Sequence, residues 1–423
     1  MKQFALKGDI LFSETPQALS VHPDSYAVCV DGVCAGVFGT LPDRFAGIPV
    51  EDYTGTLIIP GLVDLHAHAP QYAFRALGMD MELLDWLNTQ TFPQEAKYAD
   101  LDYADRAYTL FTDDLRQGAT TRAVLFGTLH VDATLALMRK LDEAGLVTRV
   151  GKVNMDRNGT PDLCEPSAQA SLDDTRRWLQ ACGSLTHCRP ILTPRFIPSC
   201  TDDLMRGLRA LQRETGLSVQ SHLSENQGEI AWVQALCPES AGYGDAYDRF
   251  GLFGGPDCPT IMAHCVWSDA AERALMRKNG VFIAHCPQSN VNLSSGIAPA
   301  RAFLDEGQRV GLGTDVAGGA HLSILRAMAD AVQVSKLRWR LVDETQKPLT
   351  LPEAFWMATR GGGAFFGKVG AFEPGFAFDA VVLDDSALPC PFSLTPEERL
   401  ARVVYLAEDR AVAHKYVEGR RLF

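Results

Sequence analysis

The middle of this 423-residue chain predicts an α/β fold, a (β/α)8 (TIM) barrel. Three observations predict it. Short apolar runs alternate with segments of helical periodicity. The runs number eight and spread over roughly 300 residues, a length such a barrel takes. Both ends of the chain read instead as short strands and turns, so the barrel sits between two β-rich flanks.

The elements follow in order. Residues 27–30 and 33–38 read as a hairpin, because Asp31-Gly32 suits a type I′ turn. Residues 57–68 give the first barrel strand. Residues 69–93 are long for the connection after it, and long loops at this face of a barrel line or cover the site. Leu83, Leu84, Trp86 and Leu87 in that connection form either an apolar lid or the packed face of a surface helix. Further strands are expected at 120–125, 147–155, 190–193, 218–223, 260–264, 281–285 and 310–315. Thr201 is a good N-cap, with Leu204, Leu208 and Leu211 on one face and Gly216 as the stop. Asp269 with Glu272 starts another helix that Gly280 ends. In the C-terminal flank, 380–383, 403–406 and 415–423 read as strands, the last with a possible turn at Glu418-Gly419.

The composition is that of a soluble globular chain, 46% apolar and 22% charged, without a low-complexity stretch. The formal net charge of −13 comes with no Lys/Arg cluster, which disfavours nucleic acid as a partner. Lys7 and Asp9 interrupt the first apolar run before signal-peptide length, and no window approaches the ~20 apolar residues of a membrane span. The 11 cysteines are odd in number, scattered and without a CxxC pair. That usage fits reduced thiols in the cytoplasm better than a disulfide framework.

Chemistry concentrates at the ends of the barrel strands. His66-Ala67-His68 closes the first strand, and side chains two apart on a strand point the same way. Such a pair also occurs as structural histidines. Strand five ends SHLSE and brings His222 and Glu225, strand six ends MAHCV and brings His264, and strand eight leads into Asp315. Each histidine alone suits a satisfied core or capping residue. Together, four imidazoles and a carboxylate converge on one face of one barrel. Three nitrogen ligands and a carboxylate suit Zn²⁺, with Fe²⁺ as second choice. Such an ion brings the pKa of a water ligand to about 7. Asp315 is placed to accept the water proton. Glu225, three residues past a ligand, reaches a substrate rather than the metal and can protonate its ring nitrogen.

The motifs PGLVDLHAHAPQY, LLDWLNTQTFP, GKVNMDRN, TPRF, SHLSENQGEIAWV, AHCPQSN with the SSG after it, and GLGTDVAGG span about residues 60–335. Through them the chain resembles the amidohydrolase superfamily and, within it, the guanine deaminases. The resemblance implies one zinc ion held by His66, His68, His222 and Asp315. It implies purine contacts from His68, Ala69, Pro70 and Gln71, from Arg195 and Phe196, and from His222, Glu225 and Asp315. Glu225, Asp315 and His264 would be catalytic, converting guanine to xanthine and ammonia. It also implies a homodimer. With the strand content, it implies a small β-sandwich from residues 1–60 and 371–423 beside a barrel of 61–370.

These roles make chemical sense. Gln71 offers a donor and an acceptor to a purine edge, Arg195 donates to O6 or a ring nitrogen, and Phe196 walls the base. Read alone, Arg195-Phe196 is a loop salt bridge and a packed ring. His264 is assigned to catalysis, with ligation the alternative. His285 is read as structural, and His22, His130, His187 and His414 as surface or packing residues. His321 could neighbour the pocket. Strand four ends Thr193-Pro194-Arg195, without the lysine that bridges two metals in binuclear relatives, so one metal is expected. The HxE and PCxxC of the other zinc deaminase class are absent. Competing readings are a related hydrolase of pterin, modified guanine, cytosine or triazine, and a metal-free barrel used for binding.

Overall fold

The computed structural model of the chain describes residues 2–423. Both termini build one seven-stranded sheet. Its order is Arg420–Arg421, Val412–Val417, Ala380–Leu383, Val50–Pro60, Gln3–Thr15, Ala18–Val30 and Val33–Phe38. Positive φ at Asp31 (49°) and Gly32 (82°) makes the turn between the last two strands, as a type I′ turn requires. Glu418 and Gly419 repeat the device at 48° and 71°. Alternation decides which side each residue faces. Ile58 and Val382 pack with Phe4, Leu6 and Phe378 on one side. Leu57, Ile59, Val381 and Leu383 join the largest hydrophobic cluster, which holds the helices around the barrel.

The barrel strands are Leu62–His68, Thr120–Phe126, Val147–Gly151, Cys188–Pro190, Val219–Leu223, Thr260–His264, Phe282–His285 and Arg309–Leu312. The first four pair in parallel, as do the last four. A bridge between Leu192 and Val219 joins the fourth to the fifth. Asp315 N donates to His66 O at 2.8 Å where the eighth meets the first. Val63, Leu65, Val124, Ile191, Ile261, Ala263, Phe282 and Ala284 fill the interior. The barrel is therefore a packed core with its mouth at the strand C-termini. Thr201 and Asp269 cap their helices through the N–H groups of Leu204 and Glu272, and Gly216 and Gly280 close them at φ 67° and 66°.

Two expectations need correction. The run 57–68 is two strands, not one. Leu57 to Pro60 ends a strand of the terminal sheet, and the barrel begins at Leu62. Gly61 makes the joint, because a Cβ there would lie 2.2 Å from Thr121 Oγ1. Residues 403–406 are not a strand but a π-helical turn, Val403–Ala407, continuing the helix Pro396–Arg402. Thr395 and Glu398 form a capping box with Pro396 at the first helical position. That start overrides the strand preference of Val403 and Val404. The connection 69–93 is largely helical, with a 3₁₀ turn Ala69–Phe74 and helical turns from Leu83 to Glu95.

Candidate active site and metal centre

The first barrel strand presents two histidines through a change of phase. Its register shifts between Asp64 and Ala67. Val63 and Leu65 face the barrel interior, whereas Ala67 packs outside it. His66 and His68 consequently share the inner side at the mouth. Asp64 fixes this segment. Its Oδ1 accepts from His66 N and Thr314 N, each at 3.1 Å, and its Oδ2 from Thr314 Oγ1 at 2.5 Å. The strand bearing the histidine pair is thus tied to the loop bearing Asp315.

His222 ends strand five. Its Nδ1–H donates to Arg195 O at 2.6 Å, which leaves Nε2 bare toward the centre. His68 Nε2 lies 3.1 Å from that atom. Asp315 Oδ1 lies 3.1 Å from His66 Nε2 and 3.5 Å from His68 Nε2. Ligand atoms ~2.0–2.1 Å from a tetrahedral ion stand about 3.3–3.4 Å apart, so these separations fit one small divalent cation. Two further observations agree. His66 Nε2 is buried and makes no hydrogen bond. Burial drives His68 and His222 well below the ordinary imidazole range, into the neutral form that ligates. Burial alone would raise the Asp315 carboxyl, but the His66 and His264 imidazoles outweigh it and hold it well below the carboxylate range.

His264 stands beside this centre. Its Nδ1 pairs with Asn290 Oδ1 at 3.0 Å, which requires the proton on Nδ1. Its Nε2 faces Glu225 Oε2 at 3.4 Å and Asp315 Oδ2 at 3.7 Å. Glu225 sits just beyond strand five, where Ser224 turns the chain at φ 48°. Ser295 Oγ donates to its Oε1 at 3.2 Å. Burial, then the Asp315 charge, raises the Glu225 carboxyl well above its usual value. A raised acid beside a lowered one is the pairing that lets one carboxyl give a proton while the other takes one.

A small cavity, open at one side, joins these groups. Gln71, Arg195, Phe196 and Leu293 line it, with Leu83, Trp86 and Leu87 as an apolar wall. The segment 83–87 therefore covers the site, while Leu84 lines a separate cleft on its far side. Ala69 and Pro70 are buried in the turn that carries Gln71 and do not line the cavity.

Two lining or supporting acids escaped the sequence reading. Glu95 accepts from Gln71 and from both terminal nitrogens of Arg195. Glu229 borders the cavity; its Oε2 accepts from Glu225 N at 3.1 Å and its Oε1 from Tyr243 Oη at 2.8 Å. Both lie on short helical segments whose sequence looks like ordinary exposed helix. Of the other histidines, His285 is buried and neutral, pushed down to about 4 by burial, and does not line the cavity. His321 lines a different cleft. His22 bonds Ser20 and stacks on Phe12, and His414 pairs with Arg421.

Residues 57–422 match the amidohydrolase family. A guanine deaminase of Rattus norvegicus is 38% identical over 378 residues, 86% of this chain and 82% of the relative. A guanine deaminase of Escherichia coli is 34% identical over 393 residues, 90% of this chain and 86% of the relative. A crystal structure of guanine deaminase from C. acetobutylicum, with guanine bound in the active site, superposes with a TM-score of 0.96. It is 45% identical and covers 100% of both chains.

Proposed function

Since this chain belongs to the amidohydrolase family, and relatives of matching length are guanine deaminases, we infer that it hydrolyses guanine to xanthine and ammonia. The observation that carries the reading is the junction of two groups in one cavity. A cation centre of His66, His68, His222 and Asp315 lies on one side. The donor pair of Gln71 and Arg195 lies on another wall of the same cavity.

The centre's three imidazoles and one carboxylate favour zinc, with ferrous iron second. When bound, such an ion acidifies water enough to supply the nucleophile at neutral pH. The chain's own residues do the rest. Arg195 and Gln71 orient the purine edge, Phe196 walls its ring, and Trp86 and Leu83 keep bulk water out. C2 then faces Asp315, His264 and Glu225. Asp315 Oδ1 is turned to the ligand histidines, so Oδ2, on the His264 side, takes the proton of the attacking water. His264 Nε2 shares that proton. Glu225, whose hold on its proton burial strengthens, gives that proton to N3 as C2 becomes tetrahedral. The water proton held by Asp315 then passes to the departing amino group, the C2 hydroxyl returns a proton to Glu225 as the carbonyl forms, and ammonia leaves.

No helix among the described residues is long and apolar enough to cross a membrane. All 11 cysteines are free, which suits a reducing, cytoplasmic setting. A homodimer completes the reading. Ammonia release from guanine, pterin, cytosine and triazine substrates tests it. Guanine should give the highest kcat/KM; preference for any of the others would overturn the assignment of the base.

A further inference from the structure

Glu95 is buried, with its side chain 2% exposed beside an Arg195 side chain that is 4% exposed. Its Oε2 accepts from Arg195 Nη1 at 2.6 Å, and its Oε1 from Arg195 Nη2 at 3.2 Å and from Gln71 Nε2 at 2.8 Å. Gln71 Oε1 in turn accepts from Ala317 N at 3.1 Å. Arg195 also lies 5.1 Å over the Phe92 ring. Phe92 and Glu95 belong to one helical turn, immediately after the segment that walls the cavity.

The donor and acceptor inventory makes this network one-directional. An ionised carboxylate only accepts, and a backbone N–H only donates. The Gln71 amide therefore has one allowed orientation, with Nε2 to Glu95 and Oε1 to Ala317. The Arg195 fork is fixed in plane by two parallel bonds, leaving its other N–H groups for a ligand. The pair is also neutral overall, so the wall offers directed donors without a net positive charge. Such a wall favours an uncharged base with a carbonyl oxygen over an anion.

We propose that Glu95 is a positioning residue that sets base selectivity, by locking the donor and acceptor order that Arg195 and Gln71 present to the 6-oxo edge of the purine. This rests on the guanine reading above. Glutamine at position 95 would place an NH2 against either Gln71 Nε2–H or an Arg195 N–H. No flip of either amide satisfies Glu95→Gln, because flipping Gln71 opposes its NH2 to Ala317 N–H.

The test compares guanine with 2-aminopurine, the same base without its 6-oxo group, on the metal-loaded enzyme. For E95Q, the guanine KM should rise at least ten-fold with kcat within about three-fold. Affinity for 2-aminopurine, read as KM or as inhibition constant, should change less than two-fold. E95D keeps an all-acceptor group. It should retain the orientation of Gln71 while loosening the fork, raising the guanine KM about five-fold with 2-aminopurine again unaffected. If E95Q fails to fold, E95D alone carries the test through that difference between the two bases. Equal changes for both bases, or loss confined to kcat, would overturn the proposal. A wild-type enzyme inactive on guanine would overturn the function reading instead.

Discussion

At the scale of the residue, Glu225 carries the largest single prediction. Glu225→Gln keeps the Ser295 contact but removes the transferable proton. Its kcat on guanine should fall ~10²–10⁴-fold, with metal content by elemental analysis unchanged. Retention of near-full turnover with metal bound would remove Glu225 from the proton path. The residues of the candidate metal centre were legible in the sequence. HxH on a strand, a histidine ending strands five and six, and an aspartate after strand eight are fixed by period and position. Glu95 and Glu229 were not legible, because their roles depend on helical segments folding back over the mouth. Nothing in FPQE or QGEI distinguishes a buried acceptor from a solvated acid. Arg195 illustrates the limit from the other side. It makes the buried ion pair of its plain reading, and it also lines the cavity.

At the scale of the element, the joints matter most. Gly61→Ala would press a methyl against Thr121, in a place where sheet strand and barrel strand meet. Overpacking of this kind costs about 1–3 kcal/mol, to be read as a lowered urea midpoint. The wall helix gives a second prediction. Trp86 lines the cavity, and its Nε1–H donates to Leu77 O at 3.0 Å. Trp86→Ala should raise the KM for guanine while leaving metal content intact; an unchanged KM would show that the wall does not hold the base. The elements misread from sequence were those where local propensity and context disagree. Val403 to Leu406 has strand composition, yet it continues a helix begun eight residues earlier by Thr395 and Glu398. The split at Gly61 was hidden because one apolar run serves two sheets.

At the scale of the whole molecule, the C-terminal strand Val412–Val417 is coupled to the barrel by a buried lysine. Lys415 lies on a strand of the terminal sheet, and its Nζ donates to Leu115 O and Thr120 O, both at 2.9 Å. Burial pushes the Lys415 ammonium down to about 7, against the opposing pull of Asp409 and with Arg116 adding to the fall. The unfolded chain therefore binds the extra proton between pH 7 and the ordinary lysine value of 10.5. For this group, stability rises with pH across that window. The melting temperature of the wild type should gain on that of Lys415→Met between pH 7 and 9.5; a constant difference would show that Lys415 does not titrate there. The overall plan was legible because barrel strands recur with helices between them. The way the termini share one sheet rests on pairings between residues hundreds of positions apart, which local pattern does not encode.

Guanine deamination at the barrel mouth should depend on the metal centre there. The direct test is xanthine formation followed spectroscopically on the same preparation before chelation, after chelation, and after zinc is restored. Turnover, its loss with the metal, and its return with zinc are expected. Undiminished conversion by protein shown by elemental analysis to be metal-free would contradict that dependence.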